Sequence, residues 1–205
     1  IYQALYLIMQ DVCKNLALLN IEPDILINNA RNLDNLRVED SGISSRSNFL
    51  NEFLLNVIVP YELTMFLSKN SKKLSKVINI GSQYGLSAAN PSLYDNYIKD
   101  SAIQYGISKA AVCHLTKELA VRLASKKIQI NCIAYGGLEG RVNKDFKLRF
   151  SKLSPIGRML KKDEICSPIE MLLNSKSFPM TGQTLVFDGG WSIWSVSYTH
   201  LRAHE

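Results

Sequence analysis

Tyr105 and Lys109 are the residues best placed to do chemistry, in the run Tyr105-Gly-Ile-Ser-Lys109. On a helix, side chains four residues apart share a face. The spacing therefore sets an ammonium beside a phenol. A phenol titrates near pH ~10 in water and is a poor base at neutral pH. A neighbouring cation favours the phenolate, so the pair suits proton transfer. Alone, the pattern carries little. Nine tyrosines and sixteen lysines in 205 residues make roughly 0.7 such pairs expected by chance. Two polar residues add weight. Ser82 directly follows an apolar run, and Asn56 sits inside an apolar helical stripe, where its amide needs a partner. Taken singly, each has a plainer reading. Tyr105 packs, Lys109 is a solvated helix face, Ser82 caps a turn and Asn56 is a satisfied core amide. His114, just over one turn past Lys109, reads as packed or exposed rather than catalytic.

The elements that would position these groups are legible. Short runs rich in Ile, Leu and Val at 24–28, 76–80, 128–133 and 184–187 read as strands. Helical patterns separate them, which predicts a parallel sheet covered on both faces. Apolar spacing predicts helices over 2–19, 49–67, 104–125 and about 163–174. Pro60 is expected to kink the second. The third is expected to bury Ala110, Ala111, Leu115, Leu119 and Leu123. Residues 83–103 and 134–162 read as irregular. Ligands bind beyond the carboxyl ends of strands in open parallel sheets. This predicts a site built from 28–31, 81–83, the start of the long helix and 135–140.

Composition excludes several classes. The 46% hydrophobic and 20% charged content is that of an ordinary globular domain. A net charge of +6 is modest, and no aromatic residues interleave with the lysine clusters, so no nucleic-acid partner is expected. Cysteines at 13, 113, 132 and 166 lack metal or redox spacing, which predicts reduced thiols and a cytoplasmic protein. Three histidines, two of them in the last six residues, leave little material for a Ser-His-Asp triad or a histidine metal site. No metal is expected. No apolar run reads as membrane-spanning, so no membrane partner is expected. No signal-peptide pattern opens the chain, though its first residue is Ile rather than Met.

The ordered set resembles the short-chain dehydrogenase/reductase family over about residues 2–194. It comprises the strand-end Asn28-Asn29-Ala30, the helical Asn56, Ser82, Tyr105 with Lys109, the turn from Asn131 to Gly137, and the closing Thr181-Gly182-Gln183 with Asp188-Gly189-Gly190. Within the family it is most similar to members from bacterial surface-sugar and flagellin-glycan gene clusters, on Asn29-Ala30-Arg31-Asn32-Leu33 and Tyr135-Gly136-Gly137-Leu138-Glu139-Gly140. The resemblance implies a Rossmann-like doubly wound α/β sheet and an oxidoreductase interconverting a carbonyl and a secondary alcohol with NAD or NADP. A sugar or nucleotide sugar is the implied substrate class. Tyr105 would be the general acid/base, Ser82 would orient the substrate oxygen, Lys109 would also bind the nicotinamide ribose and Asn56 would hold a water relay. Asn29, Ala30, Tyr135, Gly136 and Gly137 would contact the cofactor. A homo-oligomer, dimer or tetramer when full length, is implied through the helices over 49–67 and 104–125.

The chain departs from the family pattern in places. No Gly-rich phosphate loop follows a strand, and the first βαβαβ part is expected to be missing, leaving 1–194 as a partial, catalytic domain. Arg31 replaces the usual glycine, Tyr135 replaces the usual proline, and the stretch from Ser82 to Tyr105 is long. Residues 195–205 read as a non-native tail. The alternative reading is a non-catalytic fragment or binding protein with a relict site.

Overall fold

The computed structural model describes residues 11–193 apart from Cys13, Ala17, Arg141 and 175–178. Residues 2–10 of the first expected helix and the expected tail at 195–205 lie outside these; Asp11, Lys14 and Leu18 are helical. Four strands form one parallel sheet in the order β1-β2-β3-β4: β1 Ile25–Asn28, β2 Lys76–Ile80, β3 Gln129–Tyr135 and β4 Thr184–Phe187. Parallel neighbours need long crossovers, and helices supply them. The crossovers contain α1 Arg46–Phe53, α2 Val59–Asn70, α3 Tyr97–Asp100, α4 Ile103–Arg122, α5 Lys144–Leu153 and α6 Cys166–Asn174.

Side-chain alternation along the strands divides the interior into two cores. Val77 and Ile130 point to one face, where Leu67 of α2 and Leu119, Ala120 and Leu123 flanking the end of α4 cover them. Ile78, Ile133 and Tyr135 point to the other, against Leu160 and Leu172 of α6. Ile130 and Ile133 are fully buried. Such side chains contribute about 1.5–3 kcal/mol each relative to exposure. A smaller cluster stacks Phe150 of α5 on Trp191, with ring centroids 4.3 Å apart.

Several expectations need correction or detail. The helix expected to kink at Pro60 changes its winding just before it. A single π turn, Leu54–Ile58, joins α1 to α2, and Pro60 falls in the first turn of α2, where an N–H is least needed. Leu119 and Leu123 are buried as expected and Leu115 packs on the same core, but Ala110 is exposed, and Val112, Cys113, Thr116 and Ala120 complete the buried face of α4. That face also carries Gln104, Ser108 and Lys109, so its polar residues hid it from a search for apolar spacing. Residues 134–162 are not all irregular: α5 is capped by Asn143, whose side chain accepts from the Phe146 N–H. The 83–103 stretch holds two 3-10 turns and α3, with Asn90 and Asn96 as caps. The helical run Arg46–Asn70 is 25 residues and apolar enough, by length and composition alone, to cross a membrane. Glu52 and Asn56, hydrogen-bonded to each other, are buried within the fold along this run.

Candidate active site

The long helix α4 begins against the carboxyl end of β2. The contact is backbone on backbone. A Cβ on Gly85 would lie 2.7 Å from the carbonyl carbon and oxygen of Lys109, and one on Gly106 would lie 3.1 Å from the Tyr84 carbonyl. Glycine at these two positions lets the 3-10 turn Gln83–Gly85 lie flat on the first turns of α4. Ser82 is the N-cap of that turn. Its hydroxyl accepts the Tyr84 N–H at 3.2 Å, which leaves the hydroxyl proton to donate elsewhere. Gln104 anchors the other side: it is fully buried, donates to the Asn35 carbonyl at 2.8 Å and accepts from Ser44.

Tyr105 is half-buried and Lys109 is buried, on one side of α4. The ammonium lies 5.8 Å from the centroid of the Tyr105 ring and donates to the Ile80 carbonyl at 2.7 Å. Burial pushes Lys109 below the ordinary lysine range, while Cys132 and Glu52 pull it back up. The Cys132 thiol hydrogen-bonds Cys113, lowering the Cys113 thiol to about 6 and raising its own. Two cysteines distant in sequence are thus neighbours below Lys109, a pairing their spacing did not reveal.

Asn56 has the partners its burial demands. Its amide donates to the Glu52 carboxylate at 2.6 Å and to the Ser108 hydroxyl at 3.0 Å, and Ser108 donates to the Tyr105 carbonyl at 2.9 Å. The π turn is thereby fastened to the turn of α4 that carries Tyr105. Pro60 has no N–H to offer the carbonyl of Asn56, as an α-helix would. A cavity of about 130 Å³ opens there, lined by Asn29, Ala30, Asn56, Pro60, Asn79 and Lys109. A larger cavity of about 700 Å³ opens on the other side of Tyr105. Arg31, Tyr84, Tyr94 and Tyr97 line it, with the 84–103 stretch as its wall.

The structure therefore brings Ser82, Tyr105, Lys109 and Asn56 to one region at the sheet's carboxyl edge, with Asn29 and Ala30 beside them. The third strand's end is placed differently. The Tyr135 hydroxyl donates to the Ile165 carbonyl at 2.6 Å, so its ring belongs to the core and only its backbone reaches the strand end. Gly136 packs on Asp188, where a Cβ would meet the backbone at 2.7 Å, and Gly137 packs on Phe150 and Met159. Sequence reasoning missed Glu52 and Ser108. Both lie one helical turn from a chosen residue, at 52 to 56 and 105 to 108, which is the signal that could have found them. His114 lies on the exposed side of α4, 3.7 Å from Glu118.

Comparison with known proteins bears on the fold and the family. A family model described as enoyl-(acyl carrier protein) reductase matches residues 21–192. Post-translational flagellin modification protein A of Campylobacter coli is 31% identical over 137 residues, 67% of this chain and 53% of that protein. The chain thus spans about half the length of that curated relative. The crystal structure of a Leptospira borgpetersenii short chain dehydrogenase with bound NAD+ superposes with a TM-score of 0.78 at 29% identity, covering 89% of this chain and 70% of that one. The Pseudomonas aeruginosa RhlG/NADP active-site complex gives 0.76 at 26% identity, covering 90% and 72%. On the family match and the Rossmann-like parallel sheet, the chain belongs to the short-chain dehydrogenase/reductase family of oxidoreductases.

Proposed function

We propose that this chain carries the proton-transfer site of an NAD- or NADP-dependent oxidoreductase that interconverts a carbonyl and a secondary alcohol. The observation that carries this reading is the ammonium of Lys109, buried at the end of β2 and 5.8 Å from the Tyr105 ring. Tyr105 gives its phenolic proton to the carbonyl oxygen in reduction and takes it back in oxidation. Ser82, with its hydroxyl proton uncommitted, donates to the same oxygen and fixes its direction.

The residues fit the nicotinamide end of the cofactor. The Lys109 ammonium gives one of its three N–H groups to Ile80, leaving two for a ribose diol. Asn29 and Ala30 stand beside it. The bound nicotinamide would supply or accept the hydride. Asn56 restores the proton through the small cavity behind Lys109, where Pro60 has no N–H to offer its carbonyl. Relatives with NAD+ and with NADP are equally similar, so both cofactors belong in the assay.

On the motif resemblance alone, the substrate class is a sugar or nucleotide sugar and the whole protein is a homo-oligomer. The test is spectrophotometric. The full gene product is assayed for NADH and NADPH oxidation against a panel of keto sugars, nucleotide keto sugars and simple ketones, and in the reverse direction with the alcohols. Turnover of at least one carbonyl–alcohol pair is expected. Binding of either cofactor with no turnover across the panel would favour a binding role instead.

A further inference from the structure

Arg31 stands near Tyr105 and carries a charge that the reaction does not use. It stands one residue past Asn29 and Ala30, but it lines the other cavity. The chain crosses there from the space behind Lys109 to the larger space in front of Tyr105. Its guanidinium carbon lies 5.6 Å from the centroid of the Tyr105 ring. The cavity it enters holds about 700 Å³, within the roughly 300–1,000 Å³ typical of small-molecule sites.

The cavity wall carries one cation, Arg31, and one carboxylate, Asp100. Among the described residues no carboxylate pairs with Arg31. Other acids are engaged: Asp34 with Arg37, Asp40 with Lys99 and Asp95 with Arg149. Asp100, on the cavity wall, accepts the Asn96 N–H at 3.0 Å. Burial favours the neutral form of Glu52. Burial likewise holds the phenols of Tyr84 and Tyr94 above their ordinary range, so both stay protonated; they hydrogen-bond each other at 3.3 Å, which leaves one phenolic proton to donate. A guanidinium with five donors, a hydrogen-bonded pair of neutral phenols and the Asp100 carboxylate thus share the larger cavity with Tyr105. An exposed arginine elsewhere would need no partner beyond water. This one borders the space that a reacting carbonyl must occupy.

We propose that Arg31 selects a substrate bearing a carboxylate, an oxo acid or hydroxy acid whose carboxylate docks on the guanidinium while its carbonyl meets Tyr105 and Ser82. The planar fork matches a carboxylate with two parallel hydrogen bonds. One fork and neutral phenols suit a single negative charge better than the two of a phosphate. The inference rests on the reading of Tyr105 as the proton-transfer group, because that fixes where the carbonyl sits.

The test uses matched pairs in which only the charge differs: acetoacetate and levulinate, each with its methyl ester. Binding to the full gene product is measured by calorimetry in the presence of NADH and of NADPH, for wild type, Arg31→Gln and Arg31→Lys. Wild type is expected to bind at least one free acid tenfold or more tightly than its ester. Arg31→Gln should lose that preference with ester affinity unchanged, and Arg31→Lys should keep part of it. Retention of the preference in Arg31→Gln overturns the proposal, as does the absence of any acid that binds better than its ester. Hydride transfer is followed in the same samples. A charge preference without turnover supports Arg31 while counting against the role of Tyr105. Equal rate losses on acids and esters, with binding unchanged, would mean that Arg31 acts on the Tyr105 phenol instead, and would overturn the proposal.

Discussion

Glu52 illustrates how a single buried group can shape the site without touching the substrate. One carboxylate oxygen accepts from Asn56, while the other is buried with no partner. Desolvation raises its pKa, against the opposing pull of its hydrogen bond to Asn56, of the neighbouring Asn35 and of the charges on Lys109 and Arg31. A carboxyl with a raised folded-state pKa holds its proton more tightly in the folded chain than in the unfolded one. Below its ordinary value of 4.5 it is protonated in both states and costs nothing. As pH rises through 4.5 and on through the folded value, the cost of a buried charge accumulates. Glutamine can still accept from Asn56 and carries no charge. The urea midpoints of wild type and Glu52→Gln should therefore lie closest in acid and separate in favour of the variant as pH rises. A difference that stays constant across this range would show that Glu52 is not the titrating group.

At the scale of elements, the 3-10 turn Gln83–Gly85 and helix α4 must lie almost in backbone contact to bring Ser82 toward Tyr105. Gly85→Ala places a methyl 2.7 Å from the Lys109 carbonyl, and backbone cannot move aside as a flexible side chain can. A loss of about 1–3 kcal/mol in a urea melt is expected. Hydride transfer should fall as well, even at temperatures where the variant remains folded. An unchanged melt would mean that the turn has more freedom than this packing implies. The strands here were legible to within two residues, because consecutive Ile, Leu and Val admit few other readings. Helix α5 was not, because Lys144, Lys147, Arg149 and Lys152 masked the stripe of Phe146, Phe150 and Leu153. The inward face of α4 was also misjudged, since Gln104, Ser108 and Thr116 are buried through hydrogen bonds rather than apolar character.

Across the whole molecule, the parallel sheet gathers residues far apart in sequence. The ends of β1 and β2, the π turn and the start of α4 all reach the same edge, so Asn29, Asn56, Ser82 and Lys109 become neighbours. Their order along the chain made the candidate site readable from sequence. What sequence could not give was the partition of space around Tyr105: a small cavity behind Lys109 and a large one walled by tyrosines and Arg31. That partition depends on where the 84–103 stretch folds back, and its short capped turns have no apolar period to reveal it. The cysteine pair below Lys109 was hidden for a similar reason, since Cys113 and Cys132 meet only through packing of α4 on β3. The proton-transfer role of Tyr105 ties these parts together. Its most direct test is the rate of hydride transfer by Tyr105→Phe, measured beside wild type on a substrate that wild type turns over. A fall of about 100- to 10,000-fold in kcat is expected, with cofactor affinity little changed, since the ring is kept and only the proton is removed. A rate within a few-fold of wild type would contradict Tyr105 as the proton donor.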